Sequence, residues 1–83
     1  MSAANSELAK LIDTIAKALV DKPQEVEVNE VQGENTTVIE LKVSKDDLGK
    51  IIGKQGRTAK SIRTVLNGAS TKLRKRTVLE IIE

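Results

Sequence analysis

The chain has 83 residues, with 14 Lys and Arg against 12 Asp and Glu, and no cysteine, histidine or aromatic side chain. That length sets a single domain over residues 1–83 with a core just large enough to fold unaided, and the missing residue types exclude disulfides, thiolate metal sites and the commonest general base. No apolar run reaches the ~18 residues of a membrane span and the start lacks a signal-peptide layout, so a soluble, cytoplasmic chain with no membrane role is the expectation.

Residues 1–5 show no periodicity and are expected to fray. From Ser6 onward Leu8, Leu11, Ile12, Ile15, Ala16, Leu19 and Val20 recur at helical spacing and predict an amphipathic helix for the core. Asn5 or Ser6 can cap its start, and Pro23 stops it by disfavouring helical angles at Lys22. Glu25-Val26-Glu27-Val28 alternates as a half-buried strand, with Val31 out of phase, which points to a bulge or an early turn. Gln32-Gly33-Glu34-Asn35 is turn chemistry, and Thr37, Ile39, Leu41 and Val43 then share one face of a second strand, completing a hairpin. Ser44 with Asp47 resembles a capping box, and Asp46 sits beside it in the first turn of a short helix whose Leu48, Ile51 and Ile52 face inward.

That short helix runs into Gly53-Lys54-Gln55-Gly56, after which Ala59, Ile62, Leu66, Ala69 and Leu73 mark a long helix beginning at Arg57. Glycine brackets let a ligand lie against the main chain, while a helix start carries unpaired N–H groups and partial positive charge that favour phosphate. Gly68 inside the long helix predicts a close packing contact or a kink. The run Lys72, Arg74, Lys75, Arg76 at its end reads either as complementing the helix C-terminus or as a further phosphate contact. Thr77–Ile82 is β-rich, and apolar residues of both parities (Val78 and Ile82, Leu79 and Ile81) predict a third strand covered to some extent on both faces. Charge is segregated: residues 1–40 sum to −5 and residues 41–83 to +7, so the glycine loop lies in the cationic half and one face suits an anionic partner.

The segment from Ile51 to Arg63 resembles the signature of KH domains, an aliphatic pair, Gly-x-x-Gly and a basic helix, although Thr58 stands where an aliphatic is common and Ala59 is small for the core. The element order is that of the type II KH fold, αββααβ, an α+β domain with helices on one face of a three-stranded sheet. In size and order the chain is similar to the small bacterial KhpA-type RNA-binding proteins. What the resemblance implies is a clamp on about four nucleotides of single-stranded RNA. In that clamp Gly53 and Gly56 permit close approach, Lys54 and Gln55 meet phosphate and sugar, and Arg57, Lys60 and Arg63 line the helix side. Ile51, Ile52 and Leu41 or Val43 form an aliphatic floor, with Lys45, Lys50, Lys75 and Arg76 as peripheral contacts. It further implies an RNA chaperone or post-transcriptional regulator, associated with cell-wall and cell-shape control. The partner is a second copy or a larger protein of the KhpB/Jag type, and no cofactor is needed. The missing aromatics fit, because most other single-strand platforms stack bases on Phe, Tyr or Trp.

Other readings remain open at this level. A Walker loop fails on spacing, since Leu48 and Gln55 occupy its first glycine and hydroxyl positions. Catalysis lacks histidine, cysteine and facing carboxylates, because Asp46 and Asp47 as neighbours on a helix do not face each other. A KH-fold adaptor that serves dimerisation with little RNA binding, and a single-stranded DNA binder, are the surviving alternatives.

Overall fold

The structure, a computed structural model, describes residues 7–72, 74 and 76–82. It runs α1 (Glu7–Leu19), β1 (Glu27–Gln32), β2 (Thr37–Lys42), α2 (Leu48–Ile52), α3 (Arg57–Lys72) and β3 (Thr77–Ile82), with 3-10 turns at Pro23–Glu25, Lys45–Asp47 and Lys54–Gly56. This is the αββααβ order. The fraying expected of residues 1–5, the caps at Asn5 or Ser6, and the placements of Leu73 and Lys75 lie outside the described residues.

The sheet order is β1-β2-β3, with β1 antiparallel and β3 parallel to β2. A hairpin joins the first pair, whereas the parallel pair needs a long crossover. α2, the glycine loop and α3 are that crossover. Ile39 and Leu41 of β2, Val43 beyond it and Leu79 of β3 pack with Leu8, Ile12 and Ala16 of α1, Ile51 of α2, and Ile62 and Leu66 of α3. The helices therefore cover one sheet face. The other stays open, with Val31 48% and Val78 46% exposed, so the expected partial cover on both faces of β3 is not found at Val78. β1 begins later than the alternation at Glu25–Val28 suggests, because Pro23–Glu25 closes a 3-10 turn. Its register continues unbroken from Glu27↔Lys42 to Gln32↔Thr37, leaving no bulge at Val31. Val31 is out of phase because it joins Val38 and Val78 in a row across the open face, where cross-strand valine contacts stabilise the sheet.

Ser44 and Asp47 do not form the expected capping box. The Ser44 hydroxyl makes no cap bond and instead donates to Asp47 Oδ2 at 3.2 Å. The Asp47 carboxylate, 1% exposed, accepts the backbone N–H groups of Asp21 (3.2 Å) and Lys22 (3.0 Å) from the α1–β1 connection. Lys50 Nζ lies 3.3 Å from Asp47 and 3.2 Å from Asp21, and Lys22 pairs with Asp46 at 2.9 Å. The α1–β1 connection and the start of α2 are thus tied by one carboxylate. Burial pushes the Asp47 carboxyl pKa up, but the N–H donors of Asp21 and Lys22, Lys50 and the Ser44 hydroxyl outweigh it and hold the group below the ordinary aspartate value.

A lowered folded-state pKa gives stability that is present above the unfolded-chain value of about 3.9 and is lost as pH falls through the folded value. Asp47→Asn is expected to lower the melting temperature at neutral pH by at least ~5 °C and to flatten the acid-induced loss below about pH 4. Thermal melts across that range check both; an equally steep acid loss in the variant would show that other carboxylates carry it. Gly68 gives a second test. It is exposed, α3 continues through it, and a Cβ there meets nothing within 4 Å, so neither the packing contact nor the kink expected from sequence is present. Gly68→Ala should raise stability by about 1 kcal/mol in denaturant unfolding.

Candidate nucleic-acid interface

α2 ends when Gly53 turns the chain at φ 77°, ψ 173°, a region essentially reserved for glycine. Its N–H still closes onto Gly49 C=O at 2.8 Å. A Cβ on Gly53 would collide with the side chain and backbone of Thr58, so the threonine that departs from the aliphatic pattern is packed against this glycine. Gln55 adopts φ 58°, ψ 26°, and Gly56 φ 74°, with the Gly56 N–H donating to Gly53 C=O at 3.1 Å. Three left-handed residues in four fold the loop back so that Lys54 and Gln55 stand exposed at its tip and α3 starts immediately behind.

Beside the loop, Ile52, Gly56, Ala59, Arg63 and Ile81 line a groove of about 300 Å³. Loop, helix and last strand converge there. Ile52 is 36% exposed and serves as floor, whereas Ile51, Leu41 and Val43 are buried in the core beneath. The sequence-expected floor is corrected accordingly: on a five-residue helix, neighbouring Ile51 and Ile52 point apart, one into the core and one out. Ile81, unassigned from sequence, takes the opposite wall; its β3 alternation was the available signal. Ala59, small for a core position, lines the groove and is buried. β3 is an edge strand, so half of its backbone polar groups face away from β2 toward this side.

The cations divide sharply. Lys17, Lys22, Lys42 and Lys50 are each in an ion pair. Lys54, Arg57, Lys60 and Arg63 are exposed and form no ion pair among the described residues. Lys50, also exposed, is instead engaged with Asp21 and Asp47, and these hydrogen bonds keep its ammonium above the ordinary lysine pKa. Lys45 is exposed at the start of its 3-10 turn. Arg76 is exposed at the far end of β3, remote from the loop, and Lys75 lies outside the described residues. Among the described residues no cluster of acidic side chains could hold a metal, and no helix is long and apolar enough to cross a membrane.

A family described as KhpA/KhpB, KH domain, matches residues 9–81. The chain belongs to this KH-domain family. It is 57% identical over 75 residues to RNA-binding protein KhpA of Clostridium perfringens, covering 90% of this chain and 100% of that protein. With RNA-binding protein KhpA of Aquifex aeolicus it shares 50% over 78 residues, 94% of this chain and 99% of the other. Its fold is also similar to part of a variant of Aquifex aeolicus Era bound to GDP·AlF4−, at TM-score 0.60 and 24% identity, covering 89% of this chain and 29% of Era.

The two loop glycines of this KH domain are not equivalent. Gly53→Ala meets both a forbidden backbone region and the wall of Thr58 and should cost about 3 kcal/mol or more. At Gly56 the added methyl has open space, leaving a backbone cost of about 1–2 kcal/mol. Chemical denaturation of the two variants checks the order; equal losses would show that the loop relaxes around Thr58.

Proposed function

We propose that this KH domain binds single-stranded RNA, holding about four nucleotides with their backbone against Lys54-Gln55 and their bases over Ile52 and Ile81. The observation that carries the reading is the set of four unpaired cations around a left-handed glycine loop at the mouth of an apolar-floored groove. The names of its relatives support RNA as the ligand. Gly53 and Gly56 let phosphate approach the main chain, and the α3 N-terminus adds partial positive charge. Arg57, Lys60 and Arg63 extend this field along the helix wall.

On the same reading the protein acts in the cytoplasm as an RNA chaperone or post-transcriptional regulator without a cofactor or catalysis of its own. It works with a second copy or with a larger KH-containing partner of the KhpB/Jag type. The family description, which spans KhpA and KhpB, supports the second possibility. Val65, 50% exposed on α3, is the kind of apolar side chain an adaptor role would use.

The test replaces Lys54 and Gln55 together by Asp. Both are exposed, and Gln55 already sits in the left-handed region that Asp tolerates, so melting should stay within about 0.5 kcal/mol of the parent. The change from +1 to −2 where phosphates lie should weaken RNA binding at least about tenfold. With about four phosphate contacts, log affinity of the parent should fall with log salt at a slope near −3. Fluorescence anisotropy over a salt series, run with ribo- and deoxyribo-oligonucleotides, measures all of this. Retained affinity in the double variant, or binding indifferent to salt, would favour the adaptor; equal binding of both sugars would extend the ligand to single-stranded DNA.

A further inference from the structure

Further cavities lie along α3 and β3 beyond Arg63 and Ile81. One helical turn beyond Arg63, Asn67 begins the wall of a second cavity of about 400 Å³, in which Ser70 of α3 faces Thr77 and Val78 of β3. Around the corner the β1–β2 turn, through Gln32, Glu34 and Asn35, and Arg74 line a third of about 370 Å³. Arg76 lines both. Its side chain is exposed, and it makes no ion pair among the described residues. Its backbone C=O accepts from Thr37 N–H at 2.9 Å.

Two further facts point to a ligand here. The hydroxyls of Ser70 and Thr77 are buried (4% and 5% exposed) and have no hydrogen-bond partner among the described residues, a costly state that a bridging water at the cavity wall can relieve. And the chain contains no aromatic ring, so guanidinium planes are the flat cationic surfaces on which a base can stack. A guanidinium with open space on both sides, flanked by the amides of Asn67, Gln32 and Asn35, has the parts a nucleobase needs: a face to stack on and donors and acceptors for its edge.

We propose that Arg76 is a stacking post for a nucleobase lying beyond the nucleotides held at the glycine loop, so that one domain reads a longer RNA than the loop-side groove alone accommodates. The proposal rests on the RNA-binding reading above. Arg76 precedes Ile81 by five strand residues, about 17 Å at ~3.3 Å each, too far to serve the nucleotide at Lys54. The post stands where α3 gives way to β3, and the loop at the opposite end of α3.

The test compares an RNA of about four nucleotides with one of about eight on the parent, Arg76→Ala, Arg76→Lys and the Lys54/Gln55 double Asp variant, after thermal melts confirm that each is folded. The parent should bind the longer RNA more tightly. Arg76→Ala should lose at least about fivefold on the longer RNA, the low end for a stacked base, with the loss confined to that length. Arg76→Lys keeps the charge and lacks the plane, so it should behave as Arg76→Ala does. A length gain that survives Arg76→Ala, a loss shared equally by both lengths, or full rescue by Arg76→Lys overturns the post. The double Asp variant separates the two readings: it should weaken both RNAs. Absence of binding to either RNA by the parent overturns the clamp and the post together.

Discussion

α2 has five residues, fewer than half of what an isolated helix needs to persist in water, so its direction must be set from outside. Asp47 sets it. The carboxylate immediately before α2 takes the two N–H groups that follow α1, and Lys50 closes the arrangement from within α2 itself. With α2 fixed at its start by Asp47 and in its middle by Ile51 in the core, the position of Gly53 follows, and with it the loop tip and the first turn of α3. A buried, fully hydrogen-bonded carboxylate is a strict device, because removing either side leaves unpaired polar groups. It places the glycine loop, whose tip residues Lys54 and Gln55 are exposed.

The same network sorts the charges. Four lysines are held in ion pairs, three of them by acidic residues of the first half and Lys22 by Asp46, which lowers the field they project, and exposed pairs of this kind add little stability. Among the cations without an ion pair, Lys54, Arg57, Lys60 and Arg63 lie together on the loop and the first turns of α3, where part of the net excess of the second half becomes a local field. A formal charge of +2 therefore understates how the molecule looks to a polyanion approaching the groove.

Sequence carried the architecture because its signals were periodic or steric: the α1 stripe, the β2 alternation, Pro23, and glycines bracketing a loop. What it could not carry depended on partners distant along the chain. Ser44-x-x-Asp47 has capping spacing, but the donors that Asp47 accepts lie some 25 residues earlier, and only the folded chain brings them together. Ile51 and Ile52 look alike in sequence, yet the rotation between successive helical residues sends one into the core and the other to the groove. Lys50 and Lys54 look alike as well; an acidic pair within reach of the first separates them. Gly68 shows the opposite limit: a residue that invites a packing explanation sits in open space, and nothing in the structure explains it.

A groove without aromatic rings has consequences for how tightly it can hold a single strand. Two isoleucines and an alanine line it, and on the proposed reading each base over them gains less than it would on a ring. Phosphate contacts add affinity that weakens with salt. What such a groove can still accumulate is length: more nucleotides along α3 and β3, or a second KH unit on the same strand, each adding its term at high effective concentration. The long polar wall of α3 and the unpaired edge of β3 are suited to that strategy, in which many small, separable contacts replace one deep pocket.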